Sequence, residues 1–210
     1  MAFGASITQG FWDTEGGWVQ RLRRYYDEKS VVNIRQEDDY PDIFNLGISG
    51  NKSQDLVARF DNEASARLQS GDPHSAILFS VGTNNAYVEG NSAWTPPESY
   101  KQDLEKLIEQ AQKYTQRIMF VGLPPCEETE TTPVFWRDIS YTNERILIID
   151  KMMREVATSH ELPHVATFEV FQDEMAKGRQ LFADGLHPNN EGHQLIFELV
   201  QPVLDEVLNN

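Results

Sequence analysis

The 210-residue chain has a single cysteine, Cys126, so it can form no intrachain disulfide and no zinc site of the usual paired-cysteine spacing. It is also poor in positive charge, with 18 Lys and Arg against 33 Asp and Glu and a formal net charge of −15. That field repels nucleic-acid phosphates and anionic lipid surfaces, so neither is expected as a partner. The one short basic cluster, Arg21-Leu22-Arg23-Arg24, reads as the solvated face of a helix. No apolar run approaches the roughly 20 residues that a membrane span needs, and no stable membrane insertion is expected. Carboxylates such as Asp13, Glu15, Asp38 and Asp39 are dispersed, with none of the spacings of HExxH, EF-hand or two-metal sites. No metal or other cofactor is therefore expected. No charged-then-apolar leader precedes Phe3, and the chain reads as cytoplasmic. Secretion stays open if the native start lies upstream of Met1, because little chain precedes Ser6 where a strand of about five or six residues is normal.

What is present is a regular alternation of short apolar runs and amphipathic stretches. Ala76-Ile77-Leu78-Phe79-Ser80-Val81 is the clearest strand, a continuous apolar run of the kind found at the centre of a parallel sheet. Shorter strands are expected just before Ser6, at Ile43-Phe44-Asn45-Leu46, at Ile118 to Leu123 and at Val165-Ala166-Thr167-Phe168. Helical spacing predicts helices over 17–29, from Ser53 to about Gly71-Asp72-Pro73, over 98–114, from Ile139 to His160, and after His187. The stretch from Val31 to Pro41 reads as an irregular excursion. Residues Tyr87 to Pro97 and Cys126 to Arg137 read as long loops that can wall a cleft. Such alternation predicts one α/β domain over 1–210, with a parallel sheet between two helical layers. Ligands of such sheets bind at the carboxyl ends of the strands.

Three segments fall at those ends, Phe3-Gly4-Ala5-Ser6-Ile7-Thr8-Gln9-Gly10, Asn45-Leu46-Gly47-Ile48-Ser49-Gly50-Asn51 and Val81-Gly82-Thr83-Asn84-Asn85, and a fourth, Asp184-Gly185-Leu186-His187-Pro188, precedes the last helix. The first presents a serine on a small-residue turn directly after an apolar strand, as a nucleophile requires. In the last, a turn of three residues can bring the Asp184 carboxylate to Nδ1 of His187 and leave Nε2 free as a base. The competing reading of that segment is an Asx-type turn before a helix. The other histidines, His74, His160, His164 and His193, have no comparable setting and read as surface or packing residues. In order and over nearly the whole chain, the four segments resemble the sequence blocks of the GDSL or SGNH hydrolase family.

That resemblance implies a flavodoxin-like three-layer α/β/α sandwich with a five-stranded parallel sheet. It implies Ser6 as nucleophile, Asp184 and His187 as the rest of a catalytic triad, and Gly50 and Asn84 as oxyanion donors together with the Ser6 N–H. Two positions depart from the family pattern: Ala5 stands where an aspartate is usual, and Asn85 replaces an aspartate that often follows the third-block asparagine. Both put in question how the nucleophile turn is held. The implied activity is hydrolysis of a small-molecule carboxylic ester, short-chain or acetyl, through an acyl-enzyme. An acyltransferase of the same chemistry and a carbohydrate- or lipid-binding pseudoenzyme are the alternatives. Tyr87, Trp94 and Trp136, on the two long loops, are the candidates for substrate contact. The oligomeric state is not legible.

Overall fold

The computed structural model describes residues 1–33, 41–71, 74–90, 92 and 94–209. Strand β1 (Ala2–Gly4) runs into a single helical turn, α1 (Ser6–Gln9), and then helix α2 (Gly17–Asn33). There follow β2 (Asn45–Gly47), α3 (Ser53–Ser65), β3 (Ile77–Ser80), a 3-10 turn at Thr83–Asn85, β4 (Val88–Glu89) and α4 (Pro97–Ala111). The second half comprises β5 (Ile118–Val121), α5 (Glu128–Thr131), β6 (Ile139–Ser140), α6 (Asn143–Ser159), β7 (His164–Val165), α7 (Phe168–Ala176) and α8 (Asn190–Asn209).

Five strands form one sheet in the order β2-β1-β3-β5-β7, all neighbours parallel, which is the flavodoxin-like arrangement. Alternation along each strand sends successive side chains to opposite faces. Phe3, Ile77, Phe79, Ile118 and Phe120 join one core cluster with Leu56, Phe60, Tyr100, Leu104, Ile149 and Met153 of α3, α4 and α6. Their neighbours Ala2, Leu78, Met119 and Val121 join a second with Trp18, Leu22, Ile196 and Val200 of α2 and α8. The strands are thus buried on both faces, which is why they read as unbroken apolar runs. Within the first cluster the Phe3, Phe60 and Phe79 rings lie 4.8 to 5.9 Å apart and Phe79 lies 5.6 Å from Phe120. Truncating a ring such as Phe79, fully buried, to alanine costs about 3–5 kcal/mol.

The structure differs from the sequence-based expectation at several elements. Ile139–Ser140 is not the start of a helix but pairs antiparallel with Val88–Glu89, so the first presumed loop and the presumed start of the helix form a small two-stranded ribbon. Helix α6 begins only after Thr142, whose hydroxyl accepts from the Arg145 N–H as an N-cap. The last sheet strand stops at Val165, and Phe168 opens α7, where Phe168 and Phe171 are buried at helical spacing. Helix α3 ends at Ser65, short of the expected Gly71-Asp72-Pro73, and α2 runs on to Asn33. Most of the expected excursion, residues 34–40, lies outside the described residues, as do Asp72 and Pro73. In the basic cluster, Arg23 and Arg24 are surface residues paired with Asp27 and Glu15, but Arg21 is buried in an ion pair with Asp13. No helix among the described residues is long and apolar enough to cross a membrane.

The strand register sets where the site can form. Gly4 of β1 is level with Gly47 of β2 and Ser80 of β3. Ser6, Gly50 and Asn84 each follow that level within a few residues, so parallel pairing gathers all three at one edge.

Candidate active site

The turn that carries Ser6 is held without a carboxylate at position 5. A Cβ on Gly4 would stand 2.4 Å from the Ser80 carbonyl oxygen and 2.0 Å from Thr8 Oγ1, so only glycine lets α1 fold back against β3. Thr8 Oγ1 donates to Ser80 O at 3.3 Å, and Asn45 Nδ2 donates to Thr8 O at 2.8 Å. Gln9 Oε1 accepts from both the N–H and the hydroxyl of Ser49, at 3.1 and 2.9 Å. Arg59 Nη2 donates to the carbonyls of Gly4 and Leu46, at 3.1 and 2.7 Å. These contacts tie β1, α1 and β2 into one unit, and Ala5 is simply buried.

Ser6, Asp184 and His187 come together, the serine and the histidine 181 residues apart in sequence. His187 Nε2 lies 3.0 Å from Ser6 Oγ, and His187 Nδ1 lies 2.7 Å from Asp184 Oδ2. Asp184 Oδ1 accepts the backbone N–H groups of Leu186 and His187, at 3.0 and 2.7 Å. The Asx turn and the carboxylate–imidazole pair, which the sequence presented as alternatives, are one structure: one oxygen forms the turn and the other holds the ring. Burial works to raise the Asp184 pKa, but the hydrogen bonds from the His187 ring and from the two N–H groups outweigh it and hold the carboxyl below its ordinary value. The carboxylate is therefore ionised at neutral pH, which selects the imidazole tautomer with hydrogen on Nδ1 and a lone pair on Nε2 toward Ser6.

Asn84 is buried behind the serine. Its Nδ2 donates to Asn51 O at 3.0 Å, and its Oδ1 accepts the Tyr141 hydroxyl at 2.9 Å. With the amide oxygen and one amide hydrogen thus occupied, the second hydrogen remains for the cleft that Asn84 lines. Gly50 also lines the cleft. A Cβ there would meet nothing within 4 Å, so its glycine is required by the left-handed backbone, φ +82°, and not by crowding. Asn85, buried, makes a reciprocal pair with Ser53: its Oδ1 accepts the Ser53 N–H at 3.1 Å and its Nδ2 donates to the Ser53 hydroxyl at 2.9 Å. An amide, unlike a carboxylate, both accepts and donates there.

The cleft has a volume of about 520 Å³, and Ser6, Asn84 and His187 are among the residues that line it. Of the candidates for substrate contact, Tyr87 and Trp136 line it. Trp94 does not: it is partly buried against the core and is absent from the wall. Phe11, Trp12 and Phe135 are walls too, and Phe11 and Trp136 flank the imidazole with ring centroids 4.9 and 5.8 Å away. The reading of single residues missed Phe11, Trp12 and Tyr141. The first two carried a signal, an aromatic pair set into the turn after the serine. Tyr141 carried none, because it fell within the presumed helix. Ser6 and Asn84 also line a separate nook of about 10 Å³, together with Ile7, Val81, Gly82, Leu123 and Pro124, the size of one water or one methyl group. Of the remaining histidines, His160 pairs with Glu105 at the surface, His164 lies 3.8 Å from Asp150, and His193 is buried with Nε2 3.3 Å from the Phe11 carbonyl oxygen.

Comparison with known proteins finds relatives along nearly the whole chain. A profile of the GDSL-like Lipase/Acylhydrolase family matches residues 2–195. A GDSL esterase/lipase of rice (Oryza sativa subsp. japonica) is 23% identical over 98% of this chain and 77% of its own, and one of Arabidopsis thaliana is 24% identical over 98% and 85%. Among solved structures, the lipase/acylhydrolase from Enterococcus faecalis superposes with a TM-score of 0.74 at 20% identity, covering 97% of this chain and 93% of that one. An acetylxylan esterase from Geobacillus stearothermophilus superposes with a TM-score of 0.70 at 17% identity, covering 96% and 91%. These superpositions establish a shared fold.

Proposed function

The chain belongs to the GDSL-like lipase/acylhydrolase family, and from that premise we propose that it is a serine esterase acting on acetyl and other short-chain esters through an acyl-enzyme on Ser6. The observation that carries the proposal is the unbroken relay from Ser6 Oγ to His187 Nε2, 3.0 Å, and from His187 Nδ1 to Asp184 Oδ2, 2.7 Å. Ser6 Oγ adds to the ester carbonyl carbon as its proton passes to Nε2. The C=O electron pair moves onto oxygen, and the N–H groups of Ser6 and Gly50 and the free hydrogen of Asn84 Nδ2 donate to it. Collapse of this adduct expels the alcohol, which takes the proton from Nε2 and leaves the acyl group on Ser6. Water then repeats the sequence, giving up its proton to Nε2, and frees the carboxylic acid and the serine.

The two cavities suggest which end of the ester goes where. The leaving oxygen must meet His187, which stands in the large aromatic cleft, so that cleft takes the alcohol. The acyl group then points to the separate nook that Ser6 also lines, which has room for about one methyl group. A fluorophosphonate probe tests the nucleophile: it should label the protein at Ser6, and Ser6→Ala should abolish both labelling and p-nitrophenyl acetate hydrolysis. Labelling elsewhere, with activity intact in Ser6→Ala, would remove Ser6 from the mechanism.

A further inference from the structure

Trp12 combines two features that packing alone does not explain. Its backbone is left-handed, with φ +65°, a conformation shared among the described non-glycine residues only by Glu161. Such a conformation is strained for a bulky residue and persists where its surroundings impose it. Its indole, moreover, leaves the ring Nε1–H 2.8 Å from Asp184 Oδ2, the oxygen that also accepts from His187 Nδ1. The side chain is 55% exposed, so the backbone is not held by burial of the ring.

The surrounding loop supplies the constraint. Asp13, the next residue, accepts from the N–H groups of Glu15 and Gly17, at 3.1 and 2.8 Å, and is paired with Arg21. Arg21 in turn reaches Gln194 and the carbonyl of Asn190 on α8, and Asn190 is bonded to Thr14 through Thr14 Oγ1 at 2.8 Å. On the other flank His193, also on α8, holds the Phe11 carbonyl. The turn that follows the nucleophile is therefore clipped at both ends to the helix that follows the Asp184–His187 loop. Trp12 is the residue between the clips, and its ring bridges to Asp184.

We propose that Trp12 is a positioning residue for the catalytic dyad, its indole N–H completing the hydrogen-bond shell of Asp184 and locking the nucleophile turn to the loop that carries the base. With Trp12 in place Asp184 accepts four hydrogen bonds, two at each oxygen. The carboxylate cannot rotate without losing at least one of them, so the imidazole it orients stays aimed at Ser6. A neutral donor on Oδ2 also draws charge from the carboxylate and so weakens its pull on the His187 proton. This inference rests on the assignment of Asp184 and His187 given above.

Two replacements separate the hydrogen bond from the ring. Trp12→Phe removes the donor and shortens the ring, whereas 3-benzothienylalanine incorporated at position 12 removes only the donor and keeps the indole's shape. Both should lower kcat on p-nitrophenyl acetate, on the order of tenfold to a hundredfold for a lost hydrogen bond to a charged group. KM should stay within about twofold, and the acid limb of the kcat profile should move to higher pH, because a carboxylate short of one donor stabilises the imidazolium more strongly. In an Asp184→Ala background neither replacement should cost anything further. Unchanged kcat and pH limb, a rise in KM alone, or an equal loss in the Asp184→Ala background would overturn the inference and make Trp12 a wall of the cleft only. Ser6→Ala and His187→Ala, assayed beside these, keep the two readings distinct: if they are inactive while the Trp12 replacements are neutral, the positioning role alone falls.

Discussion

Tyr141 donates its hydroxyl hydrogen to Asn84 Oδ1 at 2.9 Å, and so dictates which way the Asn84 amide faces. Tyr141 is buried just after β6, and Asn84 is in the turn after β3; the ribbon of β4 and β6 is what joins them. The bond from Asn84 Nδ2 to Asn51 O enforces the same orientation, so without Tyr141 the amide is held on one side only and presents its free hydrogen to the developing oxyanion less rigidly. Tyr141→Phe should lower kcat on the order of tenfold with little change in KM. Asn84→Ala should lower kcat on the order of 10²-fold or more. The double variant should be no slower than Asn84→Ala, since Tyr141 acts through the amide; additive losses would show that Tyr141 has a separate task.

The triad should fail as a unit. Ser6→Ala and His187→Ala are each expected to cost on the order of 10⁴-fold or more in kcat, with Asp184→Ala milder because an unguided imidazole is still aimed correctly part of the time. Ser6→Ala/His187→Ala should be no slower than either single variant. Kinetics of all four on one ester, with folding checked by circular dichroism, measure this. A double variant whose loss is the product of the singles would place the chemistry elsewhere.

Acyl preference should follow the nook. Acetate esters of p-nitrophenol are expected to turn over faster than butyrate, and both faster than palmitate. Leu123, a lining residue, is 2% exposed, and Leu123→Ala opens the space behind it. The butyrate-to-acetate ratio of kcat/KM should then rise on the order of tenfold, the range expected for one or two methylenes in an apolar pocket. The variant should also lose about 2–5 kcal/mol of stability, so the ratio is to be measured well below its Tm. A ratio that does not move means the acyl group sits in the aromatic cleft instead.

His193 should make the fold acid-sensitive. Burial lowers its pKa from 6.5 to about 4. Between those values the unfolded chain binds a proton that the folded chain does not, so stability falls as pH drops through that window, by about 3 kcal/mol when complete. Asp184 acts in a lower range: its carboxyl is held below the ordinary value, and its contribution is lost only as pH falls through that depressed pKa. Urea midpoints at pH 7 and pH 4.5 for the natural chain and for His193→Gln give the test. The variant should lose less stability between the two pH values, and an equal loss would show that His193 takes up its proton in the folded state.

Much of the molecule is legible in the sequence, because parallel strands buried on both faces must be apolar throughout and their helices must be amphipathic. The runs at Ile77 and Ile118 announce the central strands, and the turns after β1, β2 and β3 place Ser6, Gly50 and Asn84 at one edge whatever the finer detail. Asp184 and His187 are close enough in sequence for a local turn to join them. Where local signals were ambiguous the reading failed: Ile139 and Ser140 have an apolar start compatible with a helix, and only pairing with Val88–Glu89 makes them a strand. Phe168 and Phe171 continue an apolar run, yet helix α7 is what buries both.

Tertiary structure decided the rest, and in each case the partner is remote in the chain. Trp12 meets Asp184 across 172 residues, and Tyr141 meets Asn84 across 57. Trp94 turns inward to the core while Phe11 and Trp12 turn out to the cleft, a difference that composition cannot express. Residue type and local spacing determined which groups stand at the site, because strand, turn and helix propensities act over a few residues. Packing of distant segments determined how those groups are aimed, because a hydrogen bond that orients a carboxylate or an amide depends on a donor whose position no local rule sets.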